Sequence, residues 1–194
     1  MKLKLPEKLK PYEGVIYFVV ILLVSHFLWK FTVTGDESGD LVTFFGLNIS
    51  QPFIFMSRHT AGIVHSILNF LGYHTTLSAG NIIRHDQSLN AVQIVWACTA
   101  LKQAYIFFCI IAFYRGPWQH KLWYIPLGLI GVYVFNIFRI SFITAIVDQH
   151  PQSFDLWHEH ILKYAFYGMI FILWVIWEEK FCTKNPVKDT GSSL

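Results

Sequence analysis

Three side-chain types that together make a thiol reactive occur in order along the second half of this chain. Cys98 lies in Ala97-Cys98-Thr99-Ala100-Leu101, Arg139 in Asn136-Ile137-Phe138-Arg139-Ile140, and two histidines in Trp157-His158-Glu159-His160. The thiolate is the nucleophilic form of cysteine, and a nearby cation stabilises it. A histidine within hydrogen-bond reach takes the thiol proton and later returns it to a leaving amine. A guanidinium stabilises the oxyanion of a tetrahedral intermediate, or holds the thiolate itself. The set fits a thiol-dependent peptidase or transpeptidase, provided the fold brings the three positions together. The other cysteines do not suggest disulfides: there are three in all, and Cys109 lies roughly 16 Å along the same helix from Cys98. Cys182 sits among lysines near the C-terminus.

The elements that must position these residues read as membrane spans. The 194 residues are 54% hydrophobic and 18% aromatic, with 14% charged, against about 25% charged in a soluble domain. Eighteen Phe, nine Tyr and seven Trp suit a bundle with aromatic belts at two interfaces. The net charge of +3 is small, and no nucleic-acid partner is expected. The expectation is an all-α polytopic membrane protein: one membrane-embedded domain over residues 1–180 and a polar cytoplasmic tail over 181–194.

Four spans are expected, near residues 12–33, 98–114, 122–147 and 161–178. Each is close to the ~20 apolar residues a bilayer requires. Lys2, Lys4, Lys8 and Lys10 precede the first, and Lys180, Lys184 and Lys188 follow the last. Basic flanks belong in the cytoplasm, so both ends lie inside and the number of spans is even. The basic turn from Arg115 to Lys121 is then inside as well. Cys98 and the acidic 148–160 segment lie outside, at an inner (plasma) membrane.

Residues 53–72 are the ambiguous stretch. Arg58, Gly62, His65 and Asn69 recur at i, i+4, i+7 and i+11, one face of a helix, with apolar residues opposite. An amphipathic helix lying at the interface satisfies that pattern and the even parity; a crossing helix with a buried polar face is the alternative. Residues 73–95 are polar and turn-rich, with rough alternation from Leu89 to Val95, and read as a short extracytoplasmic β-hairpin or ribbon.

Helical spacing from Cys98 puts Lys102 and Tyr105 at i+4 and i+7, supporting positions on its face, with Lys102 snorkelling to the headgroups. An arginine inside a bilayer costs at least ~2.5 kcal/mol at the centre, so Arg139 faces the bundle or a wet cavity. Asn136 lies one turn before it. Both histidines stand at the head of the last span. His160 has Tyr164 and Gly168 at i+4 and i+8 and is slightly preferred over His158.

In these motifs the chain resembles the exosortases and archaeosortases, and a compact branch among them. Their pattern is Ala-Cys-Ser-Gly, then Asn-x-x-Arg, then His, and order and spacing match over roughly residues 70–175. Ala100 departs from it, standing where that family usually has glycine. The resemblance implies processing of exported proteins that carry a C-terminal motif, a membrane span and a basic tail. Cleavage would be on the outer side, among membrane lipids, by Cys98, Arg139 and a histidine, with no metal or cofactor. Two other readings compete: a cofactor- or ion-binding membrane protein, invited by nine histidines, and a non-catalytic docking subunit.

Overall fold

In a computed structural model of the chain, residues 7–36 and 41–182 are described. The expected basic N-terminal lysines Lys2 and Lys4, and the tail from residue 183 onward, lie outside the described residues. Helices dominate, with two small antiparallel sheets inserted between the first and third long apolar segments. The order is α1 (Glu13–Thr32), β1 (Val33–Gly35), β2 (Val42–Phe44), β3 (Leu47–Asn48), α2 (Ser50–Phe70), β4 (Thr75–Ser78), β5 (Ile82–His85), β6 (Ala91–Gln93), α3 (Leu101–Phe113), α4 (Trp118–Gln149) and α5 (Leu162–Trp177).

Among the described residues, three helical segments are long and apolar enough to cross a membrane: Lys10–Thr32, Trp118–Gln149 and Pro151–Cys182. The fourth expected span is the 13-residue α3, roughly 20 Å long at helical rise against ~30 Å of hydrocarbon. It is short because both flanks break it. A left-handed Ala100 precedes it, and Pro117 closes the turn before α4. Yet α3 is the hub of the bundle. Ile106, Phe107, Ile110 and Ile111 are fully buried, packed with Tyr124, Val132, Phe166, Ile170, Trp174 and Trp177 of α4 and α5 and with Phe18 of α1. Gly128 permits the close approach of α4, since a Cβ there would collide with the Phe107 ring.

Helix α2 has the length to cross, at 21 residues, but its composition excludes it from the apolar set. Its buried residues Phe53, Ser57, Thr60, Ala61, Val64 and Leu68 follow a helical face. Its polar residues hold the second sheet. Asn69 Oδ1 accepts from the Thr75 backbone N–H and hydroxyl, both at 3.0 Å, and His65 Nδ1 lies 2.9 Å from Thr75 Oγ1.

The ribbon expected over 73–95 is a three-stranded meander, β4-β5-β6, with Thr75 opposite His85 and Ile83 opposite Val92. The sheet of β1, β2 and β3 was not expected. Its strands are three residues or shorter, too short to show alternation, and Ser50 Oγ anchors its middle strand by accepting from Val42 N at 2.9 Å.

Candidate active site

Cys98 sits in a single 3-10 turn, Trp96–Thr99, between sheet and bundle. Its N–H donates to Val95 O at 2.9 Å, Thr99 Oγ1 donates to Trp96 O at 2.6 Å, and the Trp96 indole donates to Asp36 O at 2.9 Å. Ala100 then turns left-handed, at φ +59 and ψ 12, and α3 begins after it. An L-residue in that region costs roughly 1–2 kcal/mol, which glycine avoids. Ala100, at the position where the resembled family carries glycine, therefore holds a left-handed backbone that glycine would adopt without that cost.

That reversal corrects one expectation. Cys98 is not on α3, so Lys102 and Tyr105 do not share a helix face with it. Lys102 lines a different cavity, of about 430 Å³, with His26, Trp29, Lys30 and Trp96. Tyr105 packs on Trp29, ring centroids 5.3 Å apart.

Helix α4 supplies the next two groups. Asn136 is fully buried and its Nδ2 donates to Cys98 O at 2.9 Å, tying the Cys98 turn to α4 across the bundle. One turn on, Arg139 is 7% exposed. It lines one small cavity with Cys98, His158, Gln93, Ile94, Ile140 and Phe154.

The histidine comes from the segment before α5. His158 Nε2 lies 3.9 Å from Cys98 Sγ, and its ring stacks on Phe154 at 5.0 Å and 10°. His160 is exposed. Residues Leu156–Ile161 form a π-helical turn, with more residues per turn than an α-helix. Extrapolating an α-helical face back from Tyr164 and Gly168 to His160 therefore fails, and the turn presents His158 to the thiol instead.

His85 belongs to the support of this site and was not singled out from the sequence. It is 2% exposed, with Nε2 at 2.8 Å from Thr144 O and Nδ1 at 3.4 Å from Asp148 Oδ1. Ser88 Oγ donates to the same carboxylate oxygen at 2.7 Å, and Asn90 Nδ2 to Val147 O at 3.1 Å. These contacts pin β5 and the β5–β6 turn to the end of the helix that carries Arg139. The signal was the alternation of Ile83 and His85, both buried on β5. Among the described residues, no three His, Cys, Asp or Glu side chains gather as a metal-binding group.

Long apolar helices around a thiol, an imidazole and a buried guanidinium define an integral membrane protein with a candidate thiol site. Residues 40–182 match the family model described as transmembrane exosortase, and the chain belongs to that family. Comparison with curated proteins and with solved structures yields no match.

Proposed function

We propose that this chain is a membrane-embedded cysteine peptidase or transpeptidase, with Cys98 as nucleophile, His158 as proton carrier and Arg139 as electrostatic stabiliser. The observation that supports it most is the 3.9 Å approach of Cys98 Sγ to His158 Nε2 in a cavity that Arg139 also lines. The thiol proton passes to Nε2 and the sulfur attacks a peptide carbonyl. A C–S bond forms, and the oxyanion that develops is stabilised by the guanidinium. Collapse breaks the C–N bond, His158 returns its proton to the leaving amine, and a thioester remains on Cys98. Water or an acceptor amine then takes the acyl group.

Thiol–imidazole distances commonly tighten when substrate is bound, so 3.9 Å is compatible with the transfer. Asn136 acts as a positioning residue, fixing the backbone at Cys98. The substrates are exported proteins with a C-terminal motif, a membrane span and a basic tail, processed on the outer face of the inner membrane. The test is co-expression with a tagged exported protein of that design, read by its size on a gel. The wild-type chain is expected to shorten it, and Cys98→Ala to leave a full-length, membrane-retained precursor. Normal maturation with Cys98→Ala would remove the enzyme reading and leave a docking role.

A further inference from the structure

Strand β6 ends its sheet, because the order is β4-β5-β6. Its register decides which main-chain groups are used. His85 N donates to Asn90 O at 2.9 Å and Ile94 N to Asn81 O at 2.8 Å. In an antiparallel ladder, hydrogen-bonded and non-bonded pairs alternate. Asn90, Val92 and Ile94 therefore turn their N–H and C=O towards β5. Ala91, opposite Arg84, and Gln93, opposite Ile82, turn theirs away from it.

Both of those residues are exposed, and both line a groove of about 490 Å³ whose far wall is Val147, Pro151, Gln152, Phe154 and Asp155. Val92, Gln93 and Phe154 also line the cavity of Cys98, Arg139 and His158. The groove along the edge strand and the cavity of the thiol are therefore neighbours that share these three residues.

We infer that the polypeptide substrate docks as an added β-strand on the outer edge of β6, pairing with the main chain of Ala91 and Gln93, and is led along the groove to Cys98. Unpaired edge groups are a ready template for an extended peptide, and main-chain bonds bind it largely independently of sequence. Selectivity arises at one position. Val92 is buried against Ile143, Val147 and Leu162, with Phe154 packed on them. The peptide residue opposite Val92 points to the same face and meets that apolar wall, which favours a small apolar side chain there. Residues opposite Ala91 and Gln93 point outward and are unselected. The inference rests on the peptidase reading for the cleavage step, but docking itself is separable from cleavage.

The experiment uses the full chain in its membrane, co-expressed with a tagged exported protein whose maturation requires it. In the Cys98→Ala background, benzoylphenylalanine replaces Ala91, Gln93 or Ser78 singly. Ser78 is exposed on the opposite edge strand. Photo-adducts to the exported protein are expected from 91 and 93 and not from 78. In the Cys98 background, Gln93→Pro removes an outward N–H without touching the β5 ladder. It is expected to slow maturation about tenfold, a larger loss than that from Gln93→Ala, which removes the side chain from the cavity lining but keeps the N–H. No adduct from 91 and 93, or equal adduct from 78, overturns the docking mode, as does normal maturation by Gln93→Pro. If Gln93→Pro does not fold, the adduct pattern decides. Maturation that survives Cys98→Ala would instead remove the peptidase reading, and the adducts would still report where the peptide lies.

Discussion

The two ends of the bundle hold the same ingredients and arrange them differently. At one end Cys98 faces His158 at 3.9 Å and shares a cavity with the buried Arg139. At the other, Cys182 Sγ donates to Arg115 O at 3.1 Å. There the Arg115 guanidinium is bound to Glu178 at 2.5 Å, and the Trp177 indole donates to the same Arg115 carbonyl at 3.0 Å. Lys121, 3% exposed, donates to Ala112 O and Tyr114 O at 2.9 and 2.5 Å, capping the C-terminal end of α3. A cation neutralised by a carboxylate, and a thiol serving as donor to a carbonyl, make a latch. A thiol facing an imidazole at 3.9 Å has a proton acceptor within reach, as the proposed nucleophile requires. Having a cysteine, an arginine and an acid–base group nearby is not enough; which of them accepts the thiol proton decides.

The largest effect expected is therefore an asymmetry between cysteines. Cys98→Ala abolishes maturation of a co-expressed substrate, while Cys182→Ala and Cys109→Ala mature it normally, as read on gels. Equal loss from Cys182→Ala would erase the distinction between the ends. Next come the partners of the thiol. His158→Ala is expected to lower the rate by about 10²–10⁴ and His160→Ala to leave it near wild type. Arg139→Lys should also fail, losing about 10²–10³, because a point charge does not reproduce the planar fork. Loss with His160→Ala and retention with His158→Ala, in single-turnover rates, would reverse the assignment.

Smaller effects belong to the latch and the turn. Lys121→Met strands two carbonyls and is expected to destabilise by about 1–3 kcal/mol, measured by thermal unfolding in detergent, with the rate per folded molecule unchanged. A lowered rate at full stability would mean that the far end also serves the chemistry. Smallest is Ala100→Gly. Relief of the left-handed backbone, offset by a more flexible unfolded chain, leaves a gain of up to about 1 kcal/mol with maturation intact.

Period and charge account for the part of the fold that was legible in the sequence. Apolar runs located the long helices, and the intramembrane charge of Arg139, next to Asn136, marked α4 as the helix with a polar interior. Cys98 was visible as the point where polar chain meets apolar. The remainder depended on local backbone states that periodicity does not encode. A left-handed Ala100 detached Cys98 from α3 and sent Lys102 and Tyr105 elsewhere. A π-turn shifted the phase between His158 and His160. The first sheet has strands of three residues or fewer, below the length at which alternation can be read. The carbonyl clamp from Asn136 and the double contact of His85 are long-range pairings, fixed only once α2 and the second sheet pack against α4.

The most direct measurement is the covalent state of Cys98 during turnover. Wild-type protein in its native membrane, mixed with a tagged substrate and quenched in acid, is digested and mapped by mass spectrometry, with and without hydroxylamine. An acyl adduct on Cys98, cleaved by hydroxylamine as a thioester is and accumulating when the acceptor is withheld, is the predicted result. Maturation proceeding with Cys98 unmodified, or with the adduct on another residue, would contradict the account.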